Sequence, residues 1–307
     1  MTEDDVLLAF AAKVKTAGLL GPIGTLGIGD DAAVVRVSGE LVTSVDVVVE
    51  GVHGDFSLTS LQDFGWRAVG AALSDLAAMG VKPIGLLSSV VTPHLESFDE
   101  LGEGILAAAK ETACPILGGD VSRGPVWSVS ITVFGETHGE PVILRSGAQV
   151  GDLLVVTGPL GGAALGLELL RAPAGERSRT VSDEAAILRH CRPRPKLNEG
   201  AAARKAQVHA MCDLSDGLGL DLDRLATASR VGVVLDQVPV FLGATESQAL
   251  GGGDDYELLI ATSDLERLNN EFFRAGLPEP IVIGRCVEGL TTRELRGQHL
   301  DASGWRH

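Results

Sequence analysis

The sequence predicts an α+β protein built from two layered domains, and three observations lead to this expectation. The N-terminal half alternates Val-rich and amphipathic segments in the order ββαβαβ, which is typical of a sheet layered by helices. The pattern then starts afresh between residues 139 and 152, in a Gly-rich stretch. The 307 residues are also enough for two domains of ordinary size, each with its own core. We therefore expect an N-terminal domain at 1–140 and a C-terminal domain at 141–307.

Segments of helical or alternating apolar spacing define the elements of the N-terminal half. They predict, in order, a helix at 3–15, strands at 32–37 and 41–49, a helix from 61 to 79, a strand at 84–91, a helix at 97–112 and a strand at 126–136. The second helix has the clearest ends, because Ser60 and Asp63 resemble a capping box and Gly80 closes the helix.

The C-terminal half opens with a buried strand and a Gly-rich helix start at 158–162, followed by a Pro-, Gly- and Arg-containing loop at 171–180. The remaining elements are predicted from the same patterns. They are strands at 153–157, 208–212, 231–235, 256–261 and 281–283, and helices at 218–229 and 265–275.

Composition and charge exclude several classes of protein. A net charge of -16 argues against nucleic acid or an anionic membrane as the main partner. No apolar run approaches the ~20 residues of a membrane span, and the N-terminus has no signal-peptide pattern. The four Cys form neither a CxxC pair nor a zinc spacing, which is typical of buried thiols in a reducing compartment. We expect a cytoplasmic protein.

Aspartate recurs beside Gly or Ser in six short segments, and this is the most informative pattern in the chain. The segments lie at 27–34, 44–47, 74–80, 118–124, 213–217 and 251–257. Short carboxylates on tight turns suit a hard cation such as Mg²⁺, which takes oxygen ligands and keeps part of its water. If several of these side chains converge, bound cations would offset their mutual repulsion. The pattern therefore predicts a Mg²⁺ site that serves a phosphate substrate.

The individual positions differ in what they indicate. Asp75 is surrounded at helical spacing by Ala and Met, where a carboxylate needs a partner or a metal, and Asp46 lies inside a Val-rich strand. Asp120 follows two glycines and precedes Arg123, a combination that suits close approach to a phosphate. At Asp30 a plain turn and a ligand role both stay open, as do a helix cap and a ligand role at Asp216.

Taken in order from Leu26 to Trp305, these segments resemble the thiamine-monophosphate kinases, a family in the PurM-like (aminoimidazole ribonucleotide synthetase-like) superfamily. The resemblance rests on the ordered set of motifs at 29–34, 44–53, 65–80, 118–120, 145–148, 192–195, 213–217 and 255–258. It implies a two-domain PurM-like fold whose N-terminal sheet domain binds ATP and metal and pairs with a second copy in a homodimer.

The resemblance also implies roles for single residues. The matching metal positions are Asp30, Ser44, Val45 through its carbonyl, Asp46, Asp75, Asp120, Asp213 and Asp216, of which Asp46, Asp75, Asp120 and Asp213 are the catalytic set. The matching ATP contacts are Gly119, Asp120, Arg145 and Ser215. The matching substrate contacts are His53, Asp254 and Trp305, the last stacking on a thiamine ring.

The implied reaction moves the γ-phosphoryl group of ATP onto thiamine monophosphate, with several Mg²⁺ ions as cofactor, and gives thiamine diphosphate and ADP. Because the acceptor is already an anionic phosphate, positioning and charge neutralisation suffice, and we expect direct in-line transfer. Two rivals stay open: another ATP-dependent PurM-like enzyme with a different substrate, and a non-catalytic relative that binds nucleotide or metal.

The chain departs from the family pattern at four places. Gly54 and Asp55 intervene between His53 and the next aromatic residue, and Val45 replaces a more usual hydroxyl residue. Asp254 stands where Glu is common, and Val121 where Thr is common. The departures at 54–55 and 254 concern the predicted substrate contacts.

Overall fold

The computed structural model of the protein describes residues 2–20, 32–173 and 179–305. The chain divides into two compact units: unit 1 comprises Met1–Leu76 and Val81–Pro141, and unit 2 comprises Ala77–Gly80 and Val142–His307. None of the helices in the described ranges is long and apolar enough to cross a membrane.

Unit 1 combines three α-helices with a four-stranded sheet in its described part. In chain order they are α1 (Glu3–Thr16), β1 (Leu41–Val49), α2 (Leu61–Ala78), β2 (Lys82–Thr92), α3 (Phe98–Glu111), β3 (Ile116–Arg123) and β4 (Ser128–Glu136). The strand order is β1-β4-β2-β3. Strand β4 is antiparallel to both neighbours, whereas β2 and β3 are parallel. Strands β1 and β3 therefore form the two edges.

The sheet of unit 1 has one buried face and one more accessible face. Along β4 the residues Val129, Ile131 and Val133 are fully buried and alternate with partly exposed Ser and Thr. Helices α2 and α3 pack closely through glycine: a Cβ at Gly104 would lie 1.9 Å from the carbonyl oxygen of Gln62. Any side chain at 104 would force these two helices apart.

Unit 2 is built around a seven-stranded sheet. Its elements are β5 (Leu153–Val156), α4 (Gly162–Arg171), α5 (Val181–Cys191), α6 (Leu197–Ala206), β6 (Ala210–Asp213), α7 (Leu218–Ser229), β7 (Gly232–Leu235), α8 (Glu246–Gly251), β8 (Leu258–Thr262), α9 (Leu265–Arg274), β9 (Ile281–Val287), β10 (Arg293–Leu295) and β11 (Gln298–His299). The strand order is β11-β10-β7-β9-β5-β8-β6. Apolar clusters of buried residues from the strands and helices form its core.

The predicted fold class is confirmed, since both units combine helices with sheets. The strand predicted at 32–37 is wrong: apart from a single bridge at Val34, these residues form no ladder. A Val-rich segment becomes a strand only if a neighbouring strand accepts its hydrogen bonds. Strand β3 was missed because Gly118 and Gly119 interrupt its apolar pattern. The loop predicted at 171–180 lies partly outside the described residues, between α4 and α5.

Candidate functional site

Four predicted metal positions of unit 1 lie on β1 and α2, and three of them offer a side-chain oxygen. Ser44 and Asp46 are two residues apart on β1 and therefore share a face of the sheet. The hydroxyl of Ser44 donates a hydrogen bond to Oδ2 of Asp75 on α2, at 2.5 Å. Oδ1 of Asp46 accepts from the backbone N–H of Val47 at 2.7 Å. The structure thus brings Ser44 and Asp75 into contact and places Asp46 on the same face.

Val45 points the other way. Its neighbours Ser44 and Asp46 are half-buried, whereas the Val45 side chain is 63% exposed. An apolar side chain offers no ligand to a cation, so only the backbone carbonyl of Val45 has an oxygen to give. The sequence-based expectation for this position is unchanged by the structure.

Gly119 and Asp120 lie inside edge strand β3, not before a strand as the sequence suggested. Asp120 pairs with Ser89 on β2 and lines a cavity of ≈1150 Å³, together with Ser130, Thr132 and Phe134 of β4. Strands β1 and β3 are three strand spacings apart, or roughly 14 Å. Within one chain, the sheet therefore does not bring Asp120 to Asp46.

The remaining predicted positions of unit 1 are His53 and Asp30. His53 follows β1, and its Nδ1 accepts a hydrogen bond from the N–H of Val49 at 3.1 Å. The next aromatic residue, Phe56, packs edge-on against Phe64 with ring centroids 5.2 Å apart. Asp30 lies outside the described residues.

In unit 2 the turn at 213–217 connects β6 to α7. Asp213 is the last residue of β6 and is buried. Asp216 forms an ion pair with Arg224 of α7, and Arg224 also donates to Oδ1 of Asp221 at 2.8 Å. The N–H of Asp216 donates to Oδ2 of Asp221 at 2.9 Å. Burial raises the pKa of the Asp221 carboxyl. The turn is thus fixed by side chains of the helix that follows it.

Two further segments converge on this turn through backbone hydrogen bonds. The N–H of Asp254 donates to the carbonyl of Ser215 at 2.7 Å, and the N–H of Trp305 donates to the carbonyl of Asp216 at 2.9 Å. The side chain of Trp305 remains half exposed. Four predicted ligand-binding residues, Ser215, Asp216, Asp254 and Trp305, therefore lie together in unit 2.

Arg145 lies beside the same strand. The N–H of Met211 in β6 donates to the carbonyl of Leu144, and Ser229 donates to the carbonyl of Arg145 at 3.2 Å. Burial raises the pKa of the Cys212 thiol, and the nearby charge of Arg145 partly opposes that shift. Arg145 is exposed and available to an anionic ligand.

Sequence reasoning missed the polar residues that support the turn and its neighbouring segment. Asp221 and Arg224 are three residues apart on α7, and this helical spacing was the available signal. Glu257 is 1% exposed and accepts hydrogen bonds from Thr157 and Arg189, which are 100 and 68 residues away along the chain. No local pattern indicates contacts over such separations.

Asp255 is half-buried beside the predicted site. Its carboxylate accepts from the N–H groups of Gly161 and Ala163 at the start of α4, at 2.7 and 3.4 Å. Burial raises the pKa of Asp255 to about 7, although those two donors act in the opposite direction.

This shift leads to a prediction for stability. An Asp in an unfolded chain titrates near pH ~4, so between about pH 4 and 7 the folded state binds the extra proton. The contribution of Asp255 to the unfolding free energy should therefore fall as the pH rises through this window. We expect on the order of 2 kcal/mol, because the carboxyl keeps partial contact with solvent. Asp255→Asn lacks this titration. In urea titrations, the unfolding free energy of this variant relative to that of the parent should therefore be higher at pH 7.5 than at pH 4.5.

Asp236→Asn is the control for that measurement, since Asp236 is an exposed acid at the end of β7. The difference in unfolding free energy between Asp236→Asn and the parent should be the same at both pH values. An equally constant difference for Asp255→Asn would contradict the prediction.

Comparison with known proteins assigns the chain to a family. The family model for the N-terminal domain of AIR synthase related protein matches residues 29–137 of this chain, and the model for the C-terminal domain matches residues 149–293. A thiamine-monophosphate kinase of Synechococcus elongatus is 37% identical over 256 residues, which are 76% of each chain.

Solved structures agree with this assignment. The crystal structure of thiamine-monophosphate kinase from Stenotrophomonas maltophilia K279a has a TM-score of 0.83 and 32% identity, covering 94% of this chain and 96% of that one. AaThiL complexed with AMPPCP and TMP has a TM-score of 0.77 and 28% identity, covering 100% and 99%. The PurM-like fold expected from the sequence is confirmed. The chain belongs to the AIR synthase related proteins and, among them, to the thiamine-monophosphate kinase family.

Proposed function

We propose that this protein is an ATP-dependent thiamine-monophosphate kinase. It transfers the γ-phosphoryl group of ATP to the phosphate of thiamine monophosphate and releases thiamine diphosphate and ADP, the last step in making thiamine diphosphate. The observation that carries the proposal is the likeness to AaThiL, which was solved with AMPPCP and TMP and matches this chain over its whole length. AMPPCP is an ATP analogue whose methylene bridge prevents transfer of the γ-phosphoryl group.

The residues suit this chemistry. A phosphate acceptor needs no strong general base, so the protein has to hold two anions in line and neutralise their charge. Arg145, Ser215 and the Gly119–Asp120 segment would contact ATP, while His53, Asp254 and Trp305 would contact thiamine monophosphate. The transfer is direct, without a phosphoenzyme.

The oxygen donors fit Mg²⁺. Ser44 and Asp75 already lie in contact, and Asp46 shares their face of the sheet. Within the described ranges, no three His, Cys, Asp or Glu side chains come together as a metal-binding group. Mg²⁺ is usually held by one or two carboxylates plus substrate phosphates and water, so the contact between Ser44 and Asp75 suits it. We propose several Mg²⁺ ions. The residues that would hold them are Asp30, Ser44, the Val45 carbonyl, Asp46, Asp75 and Asp120 in the N-terminal half, and Asp213 and Asp216 in the C-terminal half.

When bound, Mg²⁺ neutralises phosphate charge during the transfer. The protein's own contribution is to fix the carboxylates. Ser44 holds Asp75 at one oxygen, and Arg224 together with Asp221 fixes the turn that carries Asp216.

A homodimer formed through the N-terminal domain, residues 1–140, is part of the proposal, with 141–307 as the C-terminal domain. Support comes from the accessible face of the four-stranded sheet. Leu41, Val45 and Val47 are between 44% and 63% exposed, and the cavity of ≈1150 Å³ lies in the same unit. Exposed apolar patches of this kind are typical of protein interfaces. Light scattering after gel filtration should give twice the chain mass.

We also place the protein in the cytoplasm, in keeping with its four free, buried cysteines.

The activity is tested by incubating the purified protein with ATP, Mg²⁺ and thiamine monophosphate and separating all products by chromatography. Thiamine diphosphate should appear one-for-one with ADP and disappear with EDTA. ADP without thiamine diphosphate would indicate a different acceptor, and ATP binding without any turnover would indicate a non-catalytic relative.

Trp305→Ala should raise the KM for thiamine monophosphate about 10-fold and leave the KM for ATP within about 2-fold. The reason is the loss of ring stacking, which is worth about 1–1.5 kcal/mol. Trp305 is half exposed, so folding should be unaffected. Phe273→Ala is the matched control, because Phe273 is an 84% exposed aromatic residue on α9. If both variants have equally small effects on the KM for thiamine monophosphate, Trp305 does not contact the substrate.

A further inference from the structure

A buried polar cluster lies at the same end of the unit 2 sheet as the predicted site. We call Thr157, Arg189, Lys196 and Glu257 the Glu257 cluster. Strands β5 and β6 are both antiparallel to β8 and therefore run in the same direction. The end of β5, the end of β6 and the start of β8 thus lie at the same end of the sheet. Thr157 directly follows β5, Asp213 is the last residue of β6, and Glu257 directly precedes β8.

The contacts of the Glu257 cluster are specific. The Thr157 hydroxyl donates to Oε2 of Glu257 at 2.6 Å and accepts from the N–H of Leu258 at 2.8 Å. The other carboxylate oxygen, Oε1, lies 3.3 Å from Nη1 of Arg189 and 3.2 Å from Nζ of Lys196. With the Glu257 side chain 1% exposed, both carboxylate oxygens are engaged inside the protein.

The backbone of Glu257 continues directly into the site. Its carbonyl accepts from the N–H of Leu214, and the N–H of Tyr256 donates to the carbonyl of Leu214. Asp254 is tied to Ser215 in the same way. A shift of Glu257 would therefore be passed to Asp254 and to the turn at 213–217.

Segment 254–257 needs such an anchor. Asp254 and Tyr256 have φ values of +61° and +50°, a left-handed conformation that side chains with a Cβ rarely adopt. Gly253, which directly precedes this segment, also has a positive φ of +70°, and glycine adopts it without strain. Residues in this region persist only where surrounding contacts hold them.

We infer that Glu257 is a positioning residue: held by Thr157, Arg189 and Lys196, it keeps segment 254–257 in its left-handed conformation and so places Asp254 against the substrate. This inference rests on the proposed function. The alternative is that the Glu257 cluster only stabilises the fold, as a buried ion pair far from the site would.

Thr157→Val tests the inference, since it removes the hydroxyl and keeps the shape of the side chain. We expect the KM for thiamine monophosphate to rise about 10-fold, with the KM for ATP changed less than about 3-fold. Thr157→Ser keeps the hydroxyl and should restore the parent value. His209→Asn is the matched control: His209 contacts Asp152 at 2.9 Å, and Asp152 is 1% exposed, but both lie at the opposite end of the sheet, before β6 and β5. It should lower Tm and leave both KM values unchanged.

Hydrogen exchange of the Asp254 and Tyr256 amides gives a second measurement that needs no activity. In Thr157→Val both amides should exchange about 10-fold faster than in the parent, and in His209→Asn at the parent rate. If Thr157→Val does not fold, Lys196→Met removes one cation and leaves Thr157 and Arg189 in place. Unchanged KM values with unchanged exchange would overturn the inference. A parent protein without thiamine monophosphate phosphorylation would overturn the proposed function instead, and the exchange rates would still decide whether Glu257 holds the segment.

Discussion

Replacing Asp75 by Asn is expected to lower kcat/KM about 10³-fold while changing the unfolding free energy by less than about 1 kcal/mol. Asn keeps an oxygen that accepts from the Ser44 hydroxyl, so the contact between β1 and α2 survives. What disappears is the negative charge that would bind the cation. Loss of one group that stabilises charge in the transition state typically costs 10²–10³-fold in rate (roughly 3–4 kcal/mol).

The measurement is steady-state kinetics at saturating Mg²⁺, together with urea unfolding of the same sample. Asp99→Asn is the control for loss of a carboxylate in the same unit, because Asp99 is 70% exposed and pairs with Lys13 on the surface. Surface ion pairs contribute little, so this variant should match the parent in both measurements. An Asp75→Asn protein with normal folding and normal activity would remove Asp75 from the catalytic set.

The regular elements were predictable wherever local signals agreed. The helix at 218–229 has the bounds of α7, because apolar spacing and the preceding Gly217 indicate the same start. The segment at 32–37 has strand composition but no ladder, and composition alone cannot supply a pairing partner. Helices α5 and α6 were not predicted, since their mean hydropathy is low and, in α6, four of the five apolar residues are Ala. Boundaries therefore followed the sequence best where caps and periodicity coincide.

The candidate site was predictable to the level of residue types and segments, but not to the level of contacts. Short carboxylates beside Gly or Ser pointed to Asp75 and Asp216, and the structure gives each of them a defined partner. That Trp305 would hydrogen-bond to the turn of Asp216 does not follow from any local pattern, because 89 residues separate them. The support residue Glu257 carries no signal of its own, since an isolated charged residue is normally a surface residue. For Arg224 the available signal was its helical spacing from Asp221.

Asp213→Asn is expected to lower kcat/KM at least 10²-fold at low Mg²⁺, with part of the loss recovered as Mg²⁺ is raised. Asp213 is 7% exposed at the end of β6, where the turn at 213–217 begins. The turn would bring this carboxylate close to the phosphates, where an oxygen ligand suits Mg²⁺. Asn keeps the shape and one oxygen but binds Mg²⁺ more weakly, so the Mg²⁺ concentration at half-maximal activity should increase about 10-fold.

Asp236→Asn is again the matched control, because Asp236 follows β7 and β7 runs in the same direction as β5 and β6. It shares the strand-end position of Asp213 but is exposed, and no ligand role is assigned to it. Its Mg²⁺ dependence should be that of the parent. If Asp213→Asn has lower activity but an unchanged Mg²⁺ dependence, Asp213 shapes the turn without binding the cation. If neither quantity changes, Asp213 has no part in the reaction, and Mg²⁺ binding depends on the other carboxylates of the proposed set.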